Sequence, residues 1–171
     1  MYTLEQLKAL EKQFGSPMYL FRENDFVKNY KGLVGCFEKY YSKYQLSYSY
    51  KTNYTPYICK LVKELGGYAE VVSDMECGVA LAVGHEPKQI VYNGPFKGEL
   101  GVKCLLEGGL MNIDNLEELK GVCKLANENK DKKIEIGLRV NINIGQSFIS
   151  RFGIDMDSDD LQKAFDMVAE V

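Results

Sequence analysis

The chain has 171 residues, the length of one domain, and such a chain can bury roughly 70% of the surface that it exposes when unfolded. Hydrophobic residues make up 46% of it and charged residues 26%, which is typical of a globular protein. Its net charge of −3 comes from interleaved acids and bases, and no apolar run approaches the ~18 residues of a membrane span, so we expect neither a nucleic acid nor a membrane as partner.

The first predicted element is a helix that is capped by Thr3 and ends at Gly15. This N-terminus lacks the apolar centre of a signal peptide, which predicts a cytoplasmic protein. The cysteines favour the same compartment, because they are odd in number, lack the CxxC spacing of a metal site and fall in predicted helices. We expect all five to be reduced and buried: Cys36, Cys59, Cys77, Cys104 and Cys123.

From Gln45 onward, short apolar runs alternate with amphipathic helical segments, and the runs begin roughly every 21 to 24 residues. The predicted strands are Leu46–Tyr50, Tyr68–Val72, Gln89–Tyr92, Leu110–Ile113 and Ile134–Val140. The predicted helices are Pro56–Leu65, Asp74–Val83, Lys97–Glu107, Asn115–Asn129 and Asp159–Val171. Cap signals mark their starts, among them Thr55 before Pro56 and a capping box in SDME, Ser73 to Glu76.

This alternation predicts an α/β fold with a parallel sheet. Two architectures fit, an open doubly wound sheet and a (β/α)8 barrel, but the GxGxxG and P-loop motifs of the commonest open-sheet functions are missing. A full barrel needs about 250 residues, so the chain has the pattern of a barrel that stops partway. In both architectures function collects at the carboxyl ends of the strands. The polar residues that fall there are Lys51, Ser73, Asn93, Asp114 and Arg139 to Asn141.

Lys51 lies in the stretch QLSYSYKTNYTPY, where the first predicted strand gives way to a turn. A solvated strand end is the simpler interpretation. The alternative is a lysine that neighbouring side chains desolvate, so that its pKa falls and its neutral amine can attack a carbonyl. The tyrosines that could form such a wall are Tyr48, Tyr50, Tyr54 and Tyr57.

Three further residues are candidates for a functional role. Arg139 ends the apolar strand of GLRVN, and it either pairs with an acid such as Glu70 or Asp114 or clamps an anion. Asp114 precedes NLEEL, where we expect it to cap a helix. His85 is the only histidine, and its turn VGHEP predicts a surface role rather than catalysis.

Several segments, in chain order, resemble one family, the fold-type III pyridoxal-phosphate decarboxylases of the ornithine, diaminopimelate and arginine decarboxylase group. YSYKTN resembles the lysine motif of that family, GGYAEVVSDMEC its next strand and helix start, and IVYNGPFKGELGV its third strand and turn. MNIDNLEEL resembles its fourth strand and helix, LRVN its fifth strand, and SRFGI its basic-Phe-Gly loop. Upstream, GSPMYLFRENDFVKNY resembles its leading strand and helix.

The resemblance covers nearly the whole chain and implies an alanine racemase-like (β/α)8 TIM-type barrel, of which about the first five βα units are present. Residues 1–44 would hold an N-terminal helix, a leading strand and a second helix. Residues 45–171 would form part of the barrel that binds pyridoxal phosphate, and the family's C-terminal β domain is absent.

The same resemblance implies pyridoxal 5'-phosphate as cofactor and a small-molecule amino acid as substrate, which a lyase decarboxylates. Lys51 would be the catalytic residue and carry the cofactor as a Schiff base. Ser49, Glu70, Glu76 and Arg139 would also bind the cofactor, with Glu70 standing where the family usually has Asp. Arg151 would pair across the interface of a homodimer, and no metal is implied.

The sequence ends before the family's ring-stacking histidine and its glycine-rich phosphate loop. Because the phosphate anion contributes much of the binding energy, we expect the chain alone to hold the cofactor poorly and to be inactive. Two alternatives remain open at this point, a catalytically incomplete binding or regulatory homologue and a racemase-like protein that uses pyridoxal phosphate.

Overall fold

A computed structural model describes residues 2–142, 145 and 150–171 of the chain. The chain divides into two compact units, the first ending at Tyr44 and the second running from Gln45 to Val171. Within the described ranges, no helix is both long and apolar enough to cross a membrane.

The first unit consists of two helices, α1 (Leu4–Phe14) and α2 (Glu23–Tyr40). Helix α1 has the predicted ends: the Thr3 hydroxyl accepts a hydrogen bond from the backbone N–H of Gln6, and Gly15 terminates the helix with a φ of 83° that disfavours other residues. The predicted leading strand is not formed: a strand needs a hydrogen-bonded neighbour, and residues 2–44 contain helices but no strand. Neither helix has a buried residue within the chain.

The second unit is built on five parallel strands that pair in chain order, β1 to β5. These strands are β1 (Ser47–Ser49), β2 (Tyr68–Val71), β3 (Ile90–Tyr92), β4 (Leu110–Ile113) and β5 (Glu135–Leu138). The helices that connect them are α3 (Pro56–Glu64), α4 (Asp74–Ala82), α5 (Glu99–Leu106) and α6 (Leu116–Glu128). The α/β fold with a parallel sheet, predicted from the strand-helix period, is thereby confirmed.

The fifth predicted strand differs from the structure at its end, because the main sheet stops at Leu138. The Arg139 N–H still donates to the Ile113 carbonyl at 2.9 Å, but the Arg139 carbonyl accepts from the Ile154 N–H at 2.8 Å. A second, two-stranded sheet follows, in which β6 (Val140–Asn141) pairs in parallel with β7 (Ile154–Asp155), before the last helix, α7 (Asp159–Ala169). Arg139 therefore lies where the chain passes from one sheet to the other.

The hydrophobic core lies on one face of the main sheet, between the strands and the helices. The strand residues that alternate onto this face are fully or almost fully buried: Ala69, Val71, Ile90, Tyr92, Met111 and Ile113. Their neighbours along each strand point to the opposite face, which the helices do not cover. The opposite face carries the polar residues Ser49, Glu70 and Asn112 together with the apolar Val91 and Leu110.

Helices α4 and α5 are joined through Asp74, the first residue of α4. Its carboxylate accepts hydrogen bonds from the backbone N–H groups of Leu100 and Gly101, at 3.0 and 3.1 Å, and from the Tyr92 hydroxyl at 3.0 Å. Two N–H groups at the start of α5 would otherwise lack an acceptor within their helix. Asp74 thus fixes the first turns of the two helices against each other.

The five cysteines all lie in helices and are free thiols, as predicted, but they are not all buried. Cys59, Cys77 and Cys104 are buried, Cys123 is half-buried, and Cys36 is exposed. Cys36 belongs to α2, which has no buried residue within this chain, so the prediction of a buried thiol was wrong at that position.

His85 is buried, with 4% of its surface exposed, and the predicted surface role is wrong. The turn at Gly84, which has a φ of 96°, reverses the chain so that the His85 N–H donates to the Ala80 carbonyl at 3.0 Å. The imidazole then packs edge-on against the Tyr50 ring, with 6.5 Å between ring centroids. Neither ring nitrogen has a hydrogen-bond partner within the described part of the chain.

We expect this histidine to make the fold sensitive to acid. Burial, together with the positive charge of Lys63, lowers the pKa of His85 from 6.5 to about 4. Between these two values the unfolded chain binds a proton that the folded chain does not, so stability falls as the pH decreases from 6.5 towards 4, by about 3 kcal/mol. Urea unfolding at a series of pH values measures this slope.

His85→Leu is the matched variant for this measurement, because leucine is similar in size and does not titrate. Carboxylates contribute in both proteins to the dependence of the free energy of unfolding on pH. The difference between the two pH dependences is therefore the contribution of the histidine. Identical slopes over this pH range would contradict the assignment.

Candidate functional site

Lys51 lies at the carboxyl end of β1, in a short 3-10 turn formed by Tyr50–Thr52. The turn is stabilised by the Thr52 hydroxyl, which donates to the Ser49 carbonyl at 2.7 Å. The Lys51 side chain is exposed to solvent. The predicted rim position is therefore correct, and the lysine is reachable by a small molecule.

The tyrosine wall around Lys51 is not present as predicted. Tyr50 is fully buried in the hydrophobic core, and Tyr48 packs against the same core cluster. Strand alternation explains this difference, because these two residues point away from the face that carries Ser49. Tyr54 and Tyr57 are about half exposed, at 49% and 57%.

Ser49 and Glu70 are direct partners in the pairing of β1 with β2, so their side chains lie side by side on the face that the helices do not cover. The Ser49 hydroxyl oxygen and the Glu70 Oε1 atom are both buried and have no hydrogen-bond partner among the described residues. Buried polar atoms without a partner are rare in folded proteins and require an explanation, for which an absent ligand is one candidate. Two of the predicted site residues are thus brought together.

A second row of polar groups lies further along the same face, towards the carboxyl ends of β3 and β4. The Asn112 amide donates to the Asn93 side-chain oxygen at 3.0 Å. Gly137, the direct partner of Asn112 on β5, leaves room for it, because a Cβ at this position would lie 2.2 Å from the Asn112 oxygen. Asn112 was not among the predicted site residues, although the alternation of LMNI places it on the face opposite the hydrophobic core, where Glu70 also lies.

Glu76 is almost fully buried at the start of α4, with 5% of its surface exposed. Its backbone N–H donates to the Ser73 hydroxyl at 3.3 Å, which is half of the predicted capping box. The carboxylate, however, accepts from the Val72 N–H at 2.9 Å rather than from the N–H of Ser73. Glu76 therefore closes the turn between β2 and α4, next to the row that contains Glu70.

Lys97 is a buried cation at this rim, with 3% of its side chain exposed. Its Nζ donates to the Asn112 carbonyl at 2.6 Å and to the Glu118 carboxylate at 2.8 Å. Glu118 also accepts from the backbone N–H of Asp114 at 2.7 Å. These bonds fix the end of β4, with Asn112 inside the strand and Asp114 immediately after it.

Arg139 pairs with Asp114, the simpler of its two predicted interpretations, with 3.1 Å between Nη1 and Oδ1. The pair is partly buried, since 8% of the Asp114 side chain and 38% of the Arg139 side chain are exposed. Asp114 is not the helix cap that the sequence suggested: the cap of α6 is Asn115, whose side chain accepts from the Glu118 N–H at 2.9 Å. The aspartate is consequently available to the arginine.

Phe152, in the SRFGI segment, contacts both arginines that the sequence singled out. The guanidinium carbon of Arg139 lies 4.8 Å from the centroid of its ring, and that of Arg151 lies 5.0 Å from it. Cations at this distance are attracted to the face of an aromatic ring. Arg139 and Arg151 are thereby placed near each other, beyond the end of β5.

The rim therefore combines an exposed amine, a hydroxyl and a carboxylate oxygen that have no partner among the described residues, two amides and a pair of guanidinium groups. Such a set suits an anionic ligand with a carbonyl group, because amines react with carbonyls and guanidinium groups bind carboxylate or phosphate. Within the described residues, no group of three or more histidine, cysteine, aspartate or glutamate side chains is placed to hold a metal ion.

Known proteins resemble this chain over most of its length. Residues 27–170 match the sequence model of the family described as "Pyridoxal-dependent decarboxylase, pyridoxal binding domain". The diaminopimelate decarboxylase of Aquifex aeolicus is 29% identical over 161 residues, which cover 88% of this chain and 37% of that protein. The enzyme of the same name from Staphylococcus aureus is 30% identical over 176 residues, covering 96% of this chain and 41% of its own.

A solved structure shares the fold. The crystal structure of diaminopimelate decarboxylase from Methanocaldococcus jannaschii in complex with L-lysine superimposes with a TM-score of 0.81 at 25% identity. The superposition covers 96% of this chain and 41% of that one. The chain thus spans about 40% of the length of the relatives that it matches.

Proposed function

Since the chain belongs to the pyridoxal-dependent decarboxylase family, as its pyridoxal-binding domain, we propose that it forms part of an amino-acid decarboxylase that uses pyridoxal 5'-phosphate. The substrate that we propose is diaminopimelate, because the relatives reported above carry that name. We further propose that the protein is a cytoplasmic homodimer whose substrate is a free small molecule.

One observation of the structure supports the cofactor more than any other. Ser49, two residues before Lys51, and Glu70, in the adjacent strand, are direct partners in the sheet. The buried Ser49 hydroxyl oxygen and Glu70 Oε1 have no hydrogen-bond partner in the described part of the chain. A bound molecule with donor and acceptor groups would satisfy both atoms. The residues that are present therefore fit a polar, carbonyl-bearing cofactor at this face.

Lys51 is the residue that we propose to hold the cofactor covalently. Its Nζ is a primary amine at the carboxyl end of a parallel strand, where neutral amines can bind an aldehyde. The same nitrogen can carry a proton to the reacting carbon. When bound, pyridoxal phosphate supplies an electron sink that stabilises the negative charge left as carbon dioxide departs.

The other predicted residues have supporting roles in this proposal. Ser49 and Glu70 orient polar groups of the cofactor, and Glu76 rigidifies the turn that leads out of β2. Arg139 keeps one edge of its guanidinium on Asp114, and its remaining N–H groups can bind a carboxylate or phosphate oxygen. Arg151 is exposed beyond Phe152, and we propose that it pairs with an acid of a second subunit.

The test is release of carbon dioxide from diaminopimelate, compared with lysine and ornithine, by this chain joined to the part of a diaminopimelate decarboxylase that it does not span. We expect kcat/KM for diaminopimelate to exceed that for the other two amino acids by at least tenfold. Carbon dioxide release from ornithine alone would support the proposed decarboxylation but contradict the proposed substrate. No release from any of the three, with pyridoxal phosphate bound to Lys51, would instead favour a binding or regulatory role.

A further inference from the structure

Two buried thiols lie in contact between helices α4 and α5. The sulfur atoms of Cys77 and Cys104 are 3.3 Å apart, and both cysteines are free. Their exposed fractions are 0% and 3%, so both lie inside the hydrophobic core of the second unit. Neither residue has a part in the function proposed above.

The surrounding structure holds the two helices in register at this contact. Cys77 lies three residues after Asp74, whose carboxylate binds the first turn of α5 through Leu100 and Gly101. A disulfide has a bond length of about 2.05 Å, so the sulfur atoms have to approach by little more than 1 Å to form one. In the folded chain the two thiols are already held in contact, so forming the bond there removes little further conformational freedom.

We propose that Cys77 and Cys104 form an oxidation site that reacts with hydrogen peroxide and closes a disulfide between α4 and α5. One sulfur attacks a peroxide oxygen, the O–O bond breaks, and a sulfenic acid and water are formed. The second sulfur then attacks the first, the S–O bond breaks, and a second water leaves. In total, two thiols lose two electrons and two protons, and the peroxide is reduced to two molecules of water.

Cys104 is the sulfur that reacts first. Contact with the Cys77 sulfur lowers the pKa of Cys104, while the same contact and burial raise the pKa of Cys77. Thiolates are the nucleophiles of this chemistry, and Cys104 is also the more exposed of the two. Burial selects a small oxidant, because a bulky disulfide such as oxidised glutathione cannot reach either sulfur without opening the core.

The cross-link would tie a functional turn to α5. Cys77 directly follows Glu76, whose carboxylate accepts from Val72 at the end of β2. The disulfide closes a loop of roughly 27 residues, which in the chain-entropy model restricts the unfolded state and raises the melting temperature by about 5–10 °C.

The experiment treats the folded 171-residue chain with hydrogen peroxide, blocks the remaining thiols with an alkylating agent and maps the digest by mass spectrometry without reduction. We expect a peptide pair linked through Cys77 and Cys104 that is two hydrogen masses lighter than the reduced peptides, together with the higher melting temperature. Cys77→Ser and Cys104→Ser should each abolish the linked pair, and Cys77→Ser should accumulate sulfenic or sulfinic acid on Cys104.

Cys59→Ser is the matched control, because Cys59 is equally buried in the same core cluster but is not part of the pair. It should retain the linked peptide. The proposal is overturned if Cys77 and Cys104 both stay reduced in the wild-type chain while the exposed Cys36 is oxidised. This outcome is read from the wild-type protein alone, so it does not depend on whether a serine variant folds.

Discussion

Alanine in place of Lys51 is expected to abolish covalent capture of pyridoxal phosphate, because alanine offers no amine to the aldehyde of the cofactor. In the wild-type chain, limiting pyridoxal phosphate followed by borohydride reduction should label Lys51 ahead of the other lysines. Peptide mapping by mass spectrometry gives the labelled position and its occupancy. We expect the peptide that contains position 51 to carry no label in Lys51→Ala.

Two variants make this test specific. Lys51→Arg keeps the positive charge without an amine that condenses readily, so it should behave like the alanine variant. Lys60→Ala removes an exposed lysine of α3. The Nζ atom of Lys60 lies 3.8 Å from Glu64 Oε1, which is long for an ion pair, and the variant should leave the labelling of Lys51 unchanged. Equal labelling of Lys51 and Lys60 in the wild type would mean that position 51 has no special affinity for the cofactor.

The largest loss of stability is expected from Glu118→Ala. This change leaves the buried Lys97 ammonium without its counter-ion and the Asp114 N–H without its acceptor. Breaking a buried ion pair by removal of one partner costs about 3–5 kcal/mol, because the remaining charge stays out of water. Urea denaturation of the full chain measures the difference in the free energy of unfolding.

The neighbouring residue provides the control. Glu117 is on the same helix and also pairs with a lysine, Lys120, but 85% and 61% of the two side chains are exposed. Exposed pairs of this kind contribute about 1 kcal/mol or less, so Glu117→Ala should be nearly neutral. If Lys97→Met is combined with Glu118→Leu, much of the lost stability should return, since an apolar pair can replace a buried ion pair. Similar effects of Glu117→Ala and Glu118→Ala would contradict this account.

For the five-stranded sheet and its connecting helices, the sequence predicted the order of the elements because the responsible signals are local. Alternation of apolar residues, Thr3 before α1, Pro56 at the start of α3 and the glycines after α3 and α4 all act within a few residues. The boundaries of the five strands differ from the predicted ones by at most two residues at either end. Local sequence signals were therefore sufficient to predict the bounds of these strands.

The errors have a different origin, since they concern contacts between distant segments. Nothing near His85 in sequence indicates that its ring packs against Tyr50, and the burial follows from a reversal of the chain at Gly84. Similarly, Tyr50 was predicted to shield Lys51, whereas its side chain is buried in the core, on the face of the sheet opposite Ser49. Side-chain direction depends on which face the helices cover, and a single strand does not determine this.

The positions of the candidate site residues in the fold were predictable and their side-chain contacts less so, while their roles in binding a cofactor stay predictions. Lys51, Glu70 and Arg139 were identified through the strand ends and the resemblance to known enzymes. The bonds of Lys97 to Asn112 and Glu118 join segments 15 and 21 residues apart, and no spacing rule predicts them. Periodicity therefore predicts where these residues lie along the strands, whereas their side-chain contacts depend on the tertiary fold.

The order of the strands also has a consequence for how the second unit folds. Among the described residues, each strand of the main sheet pairs only with the strand that precedes or follows it along the chain, as Ser47 does with Tyr68 and Leu110 with Glu135. Every pairing in this sheet therefore closes a loop of roughly 20 to 25 residues. Such loops close with a modest loss of entropy, and no pairing has to wait for the two ends of the unit to meet. Folding can therefore begin at any adjacent pair of strands and extend in either direction, one strand-helix unit at a time.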